Sequence, residues 1–359
     1  MGRTHRIGVV GLGYISRVYL ETLAAAPDAE ITAVADLDRA RAEAVAAELP
    51  SARALSVADL LASEDVDVVL NLTIPAAHAD IALAAIAQGK DVYGEKPLAA
   101  TYADAEAVVD AARAAGVRLG CAPDTVLGTG IQTARAFIDG GEIGRPLAAT
   151  AVMASPGHER WHPNPDFYYQ PGGGPLLDMG PYYVTALVQL LGPVTWAIGA
   201  TSRLRPERVI AQGPRAGEVV PVAVDSHVTG ILQHASGALS TITTSFDTVA
   251  STAPPIEVHG EAASLIVPDP NNFDGEVSVR RLGSDEWQLV RPLAGIAGAA
   301  RGTGLLDLVR TADGAAPRAS GDMGLHVLEV MTGLLESAST GSRVEIRTSP
   351  ERPSLVPLA

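Results

Sequence analysis

Lys96 and its neighbours are the first candidates for chemistry. The triplet Glu95-Lys96-Pro97 comes directly after a predicted strand, Asp91–Tyr93. If that strand belongs to a parallel sheet, Lys96 lies at the carboxyl edge, where such sheets bind ligands. A lysine there can donate a hydrogen bond to a reacting oxygen and stabilise the negative charge that develops on it. The alternative is a surface lysine before a proline that opens a helix.

Asp178 and Tyr182 are the second pair of candidates. In a helix they stand at positions i and i+4 and share one face. A tyrosine can transfer protons when a neighbouring cation lowers its pKa, and Lys96 could supply that charge. Pro181 leaves the helix itself open, and the alternative for Tyr182 is packing on a helix face.

The segment His158-Glu-Arg-Trp-His162 has the spacing H-E-x-x-H, which on a helix binds zinc. Pro156 precedes it and two prolines follow it, so a helix is not expected, and no third ligand pattern is present. We therefore predict no metal. Two alternatives stay open: a loop from His158 to Tyr169 that contacts substrate, with His162 assisting, or a surface loop anchored by aromatic side chains. Gly172-Gly-Gly likewise predicts either a close-approach loop near substrate or a connector.

A dinucleotide site is indicated by Gly11-Leu-Gly13-Tyr-Ile-Ser16, which follows the first predicted strand and opens a helix. Gly11 permits the tight turn, Gly13 lets the backbone approach a pyrophosphate, and the helix N-terminus supplies free N–H groups. Asp36 ends the second predicted strand, where a carboxylate accepts hydrogen bonds from ribose hydroxyls and repels a 2′-phosphate. This favours NAD. Arg39 keeps NADP possible, because a guanidinium there could accommodate that phosphate.

The elements that must position these residues alternate over the first 120 positions. Apolar strand-like runs are separated by Ala-rich helical patterns, a rhythm that predicts a parallel sheet with helical crossovers. The predicted strands are Arg6–Gly11, Glu30–Asp36, Val66–Leu72, Asp91–Tyr93 and Val117–Cys121; the predicted helices are Val18–Ala26, Arg39–Leu49, Ala77–Gln88 and Ala103–Ala115.

After a predicted helix at Ile131–Asp139 the rhythm changes to period-two alternation, which predicts an antiparallel sheet. Ala235-Ser-Gly-Ala indicates a hairpin between two of its strands. The fold class predicted is thus α/β followed by α+β: an N-terminal Rossmann domain with a doubly wound parallel sheet, residues 1–124, and a C-terminal α+β domain on an open, largely antiparallel sheet, residues 125–359. A late helix over 322–338 is expected to pack back on the first domain.

Composition excludes several classes. Hydrophobic residues make up 47% of 359 and charged residues 19%, enough apolar material for two cores. The net charge of −15 and the lack of a basic stripe argue against a nucleic-acid partner. The single cysteine, Cys121, excludes an internal disulfide. No long apolar run or secretory signal is apparent, so we expect no membrane association and a cytoplasmic location.

Four motifs together resemble the glucose-fructose oxidoreductase/inositol dehydrogenase/MocA family. They are Gly11-Leu-Gly13-Tyr14-Ile15, Thr73-Ile-Pro75-Ala-Ala-His78, Gly89-Lys-Asp-Val-Tyr-Gly-Glu95-Lys96-Pro97 and Gly172-Gly-Gly-Pro-Leu-Leu-Asp178-Met-Gly180. The resemblance implies that Lys96 is a catalytic lysine beside the nicotinamide. Where the family has Asp-x-Gly-x-His, this sequence has Tyr182 in place of the acid–base histidine, which leaves open whether Tyr182 or a loop histidine takes that role. From this correspondence we expect Lys96 and Tyr182 to share the proton chemistry, while Asp178 orients the substrate or Lys96.

The expected activity is NAD(P)-dependent hydride transfer between the nicotinamide and a secondary alcohol or ketone of a sugar or cyclitol. The alternatives are a glycosidase that cycles its NAD, and a protein that senses dinucleotide or sugar without catalysis. The resemblance also implies a homodimer or homotetramer. The predicted cofactor contacts are Gly11, Gly13, Tyr14, Ile15, Asp36, Arg39, Thr73, Pro75, His78, Glu95 and Lys96; the predicted substrate contacts are Lys96, His162, Tyr169, Asp178 and Tyr182.

Overall fold

The computed structural model describes residues 4–312 and 315–359. Contacts between residues divide the chain into two compact units, Met1–Leu127 with Ala299–Leu325, and Gly128–Gly298 with His326–Ala359. The functional boundary expected between residues 124 and 125 stays a prediction. Within the described ranges, no helix is long and apolar enough to cross a membrane.

The first unit is built on a six-stranded sheet. All of its strands are parallel, in the order β3-β2-β1-β4-β5-β6, which is the doubly wound arrangement. Its elements up to Leu127 are β1 (His5–Val10), α1 (Ser16–Ala24), β2 (Ala29–Ala35), α2 (Arg39–Glu48), β3 (Arg53–Ala54), α3 (Val57–Ala62), β4 (Val68–Asn71), α4 (Pro75–Ala87), β5 (Asp91–Gly94), α5 (Tyr102–Ala115) and β6 (Leu119–Cys121). The predicted Rossmann fold is confirmed.

Local sequence explains where these helices begin. Asp38, Ser56 and Thr101 each accept a hydrogen bond from a backbone N–H in the first turn of α2, α3 and α5. Side-chain oxygens at these positions satisfy N–H groups that have no partner within the helix. The short β3 and α3 have no counterpart among the sequence predictions, because two and six residues are too few to show a period.

Lys90 stands at the opposite edge of the sheet from the strands' carboxyl ends, just before β5. Its side chain is buried, and its ammonium group donates to the carbonyl oxygens of Ser63 and Val66, each at 2.7 Å. Burial lowers the pKa of this ammonium group. Lys90 therefore serves the packing of this edge.

The second unit is built on a nine-stranded sheet in the order β16-β15-β14-β13-β7-β12-β11-β8-β17. Every neighbouring pair is antiparallel except β7 and β12. Its elements before Gly298 are α6 (Thr129–Asp139), β7 (Pro146–Ala154), α7 (Pro175–Leu191), β8 (Val194–Ser202), β9 (Glu207–Val209), β10 (Val219–Pro221), β11 (His227–His234), β12 (Leu239–Ser245), β13 (Ile256–Gly260), β14 (Ala263–Val267), β15 (Val277–Arg281) and β16 (Gln288–Val290). This confirms the predicted largely antiparallel sheet, including the hairpin of β11 and β12.

Helix α7 forms in spite of Pro181. Pro175 stands at its start, where a missing N–H costs nothing, and the helix is buried almost throughout from Gly180 onward. Pro181 removes one backbone hydrogen bond, a loss of about 3 kcal/mol in an isolated helix. Tertiary burial of this apolar helix outweighs that penalty, and the question left open by the sequence is answered.

The helix α8 (Thr303–Arg310) completes the core of the first unit, although it comes some 180 residues after β6 in the sequence. Leu305 and Leu308 are fully buried in one cluster with Ile7, Val9 and other residues of the parallel sheet. At its start, the buried carboxylate of Asp124 accepts hydrogen bonds from the backbone N–H groups of Gly302 at 2.8 Å and Gly304 at 3.0 Å. The sequence analysis did not predict this helix.

The chain ends with α9 (Gly321–Thr340) and β17 (Val344–Glu345). From His326 onward these residues belong to the second unit, where β17 pairs with β8. The predicted late helix is present, and its expected packing on the first domain stays a prediction.

Candidate active site

The glycine turn after β1 has the geometry that its sequence predicts. Gly11 has φ +93°, and a Cβ on it would lie 2.7 Å from the carbonyl carbon and oxygen of Leu72. A Cβ on Gly13 would meet no atom within 4 Å. The Ser16 hydroxyl donates to the Gly13 carbonyl at 2.7 Å as α1 begins. Gly11 thus serves the turn, and Gly13 leaves open space on the side where α1 presents its free N–H groups.

Asp36 lies directly after β2 and is tied to the same turn. Its carboxylate accepts hydrogen bonds from the backbone N–H of Leu12 and of Asp38, both at 2.8 Å. Partial burial opposes ionisation, but these two hydrogen bonds and the nearby Arg41 guanidinium together hold the pKa of Asp36 below its ordinary value. An ionised carboxylate is therefore fixed beside the glycine turn, where ribose hydroxyls bind in this fold.

The guanidinium nearest to Asp36 belongs to Arg41. Its Nη1 lies 3.3 Å from Oδ1 of Asp36. Arg39 instead pairs with Glu43 one helical turn on, at 2.8 Å, and both of these side chains are exposed. The contact of Arg39 with a 2′-phosphate stays a prediction, and Arg41 is a second candidate that was not predicted from the sequence.

Three large apolar side chains are exposed in the loops at this edge of the sheet. Tyr14 is fully exposed, Leu37 is 99% exposed and Ile74 is 70% exposed; they follow β1, β2 and β4 respectively. Ile15 is half-buried where α1 begins, and Pro75 opens α4. These loops therefore present exposed apolar side chains at the carboxyl edge of the sheet.

His78 joins two of the predicted cofactor loops. Its ring is buried, with Nδ1 2.7 Å from the carbonyl oxygen of Pro97 and Nε2 3.0 Å from the carbonyl oxygen of Thr73. The Thr73 hydroxyl donates to Oδ1 of Asn71 at 2.7 Å, and the Asn71 amide donates to the backbone of His78 at 3.0 Å. His78 therefore ties the loop after β4 to the loop that carries Lys96.

Glu95 fixes the start of the Lys96 loop. The buried Tyr19 of α1 donates its hydroxyl proton to Glu95 at 2.7 Å, and the backbone N–H of Lys96 donates to the other carboxylate oxygen at 3.1 Å. The Lys96–Pro97 peptide bond is cis. Lys96 is half-buried at the carboxyl edge of β5, within the same unit as Gly11, Asp36 and His78. The first unit thus brings together the predicted cofactor residues along one edge of its sheet.

Asp178 and Tyr182 lie one turn apart on α7, in the second unit, as the spacing predicts for a helix. The Asp178 side chain is 19% exposed, and Tyr182 is 5% exposed. The Asp178 backbone N–H donates to the carbonyl of Gly174 at 3.1 Å, so the glycine loop opens this helix. The Asp178 carboxylate is therefore held in the first turns of α7.

One partner of Asp178 is His158, the first residue of the loop predicted to contact substrate; the histidine singled out within that loop was His162. The His158 Nε2 atom lies 3.0 Å from Oδ2 of Asp178. The two residues are 20 positions apart in the sequence, and no periodic pattern links them. His158 and Asp178 thus form a close titratable pair within the predicted substrate region.

Two other predicted substrate contacts have different surroundings. Tyr169 is fully buried and donates its hydroxyl proton to Glu159. Desolvation raises the pKa of this hydroxyl, and Glu159 raises it further. His162 is half-buried against Trp161 and Tyr168, and burial lowers its pKa. The substrate contacts of Tyr169 and His162 stay predictions.

The segment with H-E-x-x-H spacing is no helix of the kind that binds zinc. It forms one 3₁₀ turn, His158–Arg160, and Glu159 points into a buried ion pair with Arg208 at 3.3 Å. Across the part of the chain that the structure describes, no three His, Cys, Asp or Glu side chains cluster closely enough to hold a metal ion.

Comparison with known proteins identifies both units. A family model described as an oxidoreductase family with an NAD-binding Rossmann fold matches residues 5–122, and the GFO/IDH/MocA C-terminal domain model matches residues 131–266. A dTDP-3,4-didehydro-2,6-dideoxy-alpha-D-glucose 3-reductase of Streptomyces antibioticus is 31% identical over 234 residues, 64% of this chain and 70% of that protein.

Inositol 2-dehydrogenase 3 of Saccharopolyspora erythraea is 38% identical over 160 residues, 43% of this chain; the chain spans 46% of that relative's length. A levoglucosan dehydrogenase solved with NADH and L-sorbose superposes with a TM-score of 0.81 at 22% identity, covering 97% of this chain and all of that one. The structural likeness confirms the fold. The chain therefore belongs to the GFO/IDH/MocA family of oxidoreductases, as its motifs predicted, and its first unit is the family's NAD-binding Rossmann domain.

Proposed function

We propose that this chain is an NAD-dependent dehydrogenase that transfers hydride between C4 of the nicotinamide and a secondary alcohol of a sugar or cyclitol. The observation that carries the proposal is the first unit's carboxyl edge, where the Gly11 turn, the ionised Asp36 and the Lys96 loop lie together. The names of the relatives, which act on sugars and inositol, support the substrate class.

In this proposal NAD supplies the hydride acceptor, and the chain's own residues hold the substrate and move its hydroxyl proton. Lys96 donates a hydrogen bond to the reacting oxygen and stabilises its alkoxide character. Tyr182 shares the proton chemistry with Lys96, and Asp178 orients the substrate. The remaining predicted contacts, Thr73, Pro75, His78 and Glu95, shape the cofactor loops. Their contacts in the first unit, such as that of Glu95 with Tyr19, support a positioning role.

The proposal is tested by NADH formation with a panel of sugars and cyclitols. We expect turnover by the unmodified chain and its loss in Lys96→Ala. Arg113→Ala is the matched control, because Arg113 is an exposed cation on α5 paired with Asp110 at 2.9 Å. Steady NADH release argues against a glycosidase that returns its NAD unchanged. Robust turnover by Lys96→Ala would remove Lys96 from the mechanism, and no turnover with any panel member would leave the sensor alternative.

The finer expectations of a homodimer or homotetramer, and of a cytoplasmic location, stay predictions. Sedimentation of the purified chain measures the first directly.

A further inference from the structure

His158 has no role in the function proposed above, yet its ring is packed by aromatic side chains and both of its ring nitrogens have hydrogen-bond partners. The residue is 8% exposed, and its ring lies between three aromatic rings, with centroid distances of 5.1 Å to Trp161, 4.5 Å to Tyr168 and 4.4 Å to Phe246. Edge-on aromatic contacts of this kind fix the plane of a ring. The orientation of the His158 ring is therefore set by packing on several sides.

The hydrogen bonds of His158 decide which ring nitrogen carries the proton. The indole Nε1–H of Trp161 lies 3.2 Å from Nδ1 of His158. An indole N–H can only donate, so Nδ1 acts as the acceptor. In the neutral ring the proton is then on Nε2, which faces Oδ2 of Asp178 at 3.0 Å. His158 is thus arranged as a donor to the Asp178 carboxylate.

The turn that carries His158 is held from the other side. The His158 backbone N–H donates to the Tyr169 hydroxyl at 3.2 Å, and that hydroxyl donates to Glu159. The Glu159 carboxylate pairs with Arg208 at 3.3 Å, and the two side chains are 7% and 2% exposed. Arg208 also pairs with Asp247. Breaking a buried ion pair is costly, because it leaves an uncompensated charge in the protein interior. The pair of Glu159 with Arg208 therefore holds the His158–Arg160 turn in place.

We propose that His158 is a positioning residue that acts through Asp178: its Nε2–H donates to the Asp178 carboxylate and holds it in one rotamer, one turn before Tyr182 on α7. The inference rests on the proposed function, in which Asp178 contacts the substrate. Orientation of a carboxylate by a neighbouring histidine is the reverse of the usual carboxylate–histidine pair, and it uses the same hydrogen bond. The first histidine and the glutamate of the H-E-x-x-H segment therefore form a scaffold for Asp178.

Two variants separate the hydrogen bond from ring packing. His158→Gln keeps an N–H donor and loses the ring, whereas His158→Phe keeps the ring and loses the donor. We expect kcat to fall about 10–100-fold in His158→Phe, as for other residues that orient a reacting group, and to stay within about threefold of the parent in His158→Gln. Thermal unfolding of both variants checks that they are folded. The opposite order of activities, with Phe active and Gln inactive, would overturn the proposal.

A double variant tests the coupling to Asp178. In an Asp178→Asn background, His158→Phe should change kcat less than about twofold, because the carboxylate that it positions is already gone. Losses that multiply in the double variant would show that the two residues act independently, against the proposal.

A measurement without turnover separates this inference from the proposed function. Nitrogen-15 NMR of the eight histidines, with His158 assigned by its loss in His158→Gln, should show a neutral ring protonated at Nε2. A ring protonated at Nδ1 would refute the arrangement even in an active enzyme. If no sugar or cyclitol is oxidised but the Nε2–H tautomer is found and its Nε2–H resonance shifts in Asp178→Asn, the pair stands and the proposed function fails.

Discussion

The substitution Gly11→Ala should destabilise the protein even without dinucleotide. At φ +93° an L-residue is strained by about 1–2 kcal/mol. The new Cβ would also lie 2.7 Å from backbone atoms of Leu72, where ordinary contact begins at 3.4 Å, so β1 and the end of β4 would have to separate by about 0.7 Å. Forcing such a shift in packed structure costs about 1–3 kcal/mol. The total is about 2–5 kcal/mol.

Gly13→Ala is the matched control, because the same added methyl group meets no atom within 4 Å and Gly13 does not have a positive φ. We expect its unfolding free energy to stay within about 1 kcal/mol of the parent, since removing a glycine restricts the unfolded chain. NADH binding should nevertheless weaken at least about tenfold, because the methyl group occupies the approach of the pyrophosphate.

Urea unfolding of the dinucleotide-free protein and calorimetric titration with NADH measure the two effects separately. Equal stability of the two variants would refute the assignment of the turn to Gly11. Parental NADH affinity in Gly13→Ala would refute the placement of the pyrophosphate beside Gly13.

Three further predictions concern other parts of the first unit. Asp36→Asn keeps an acceptor for the Leu12 N–H and removes the negative charge that pairs with Arg41. The affinity for NADPH relative to that for NADH should therefore rise at least about tenfold in titrations. An unchanged ratio would count against Asp36 as the residue that discriminates between the two cofactors. Full burial raises the pKa of Asp124 to about 6, so the folded protein binds a proton on this carboxyl more tightly than the unfolded chain does. The stabilisation of the folded state that follows from this is present below about pH 4 and is lost as pH rises from about 4 to 6. As pH rises across that window, the free energy of unfolding of Asp124→Asn should therefore increase by up to about 3 kcal/mol relative to that of the parent. Urea unfolding measures this, and a difference that does not change with pH would contradict it. Leu308→Ala should lower the free energy of unfolding by about 2–5 kcal/mol, because Leu308 is fully buried in the Rossmann core. The control Leu204→Ala, at an exposed position, should lower it by less than about 0.5 kcal/mol. Equal losses in the two variants would argue against the placement of α8.

The dinucleotide half of the site could be predicted from sequence because its determinants are local. The Gly11 turn, the strand before it and Asp36 at the end of β2 lie within some 30 residues, and each has a conformational or chemical requirement that few residue types satisfy. The doubly wound sheet follows from the alternation of apolar strands with helical crossovers. The same reasoning predicted the β11–β12 hairpin.

Other features depend on contacts that sequence patterns do not encode. Arg41, rather than Arg39, faces Asp36 because of its angular position on α2, and Arg39 is engaged by Glu43. The pairing of His158 with Asp178 joins a proline-flanked turn to a helix, so no periodic pattern in the sequence predicts this contact. Helix α8 has buried leucines, but the core that they complete is encoded some 180 residues earlier.

The burial of Lys90 makes the chain convenient for amine chemistry. The sequence has only two lysines, Lys90 and Lys96, and the first is enclosed with both carbonyl contacts made. Reductive methylation with carbon-13 formaldehyde should therefore label one lysine ammonium, Lys96, besides the α-amino group of the chain. The carbon-13 NMR signal of the methyl groups on Lys96 then reports on ligands that bind at the carboxyl edge of β5. It can be measured in the labelled protein without any mutation.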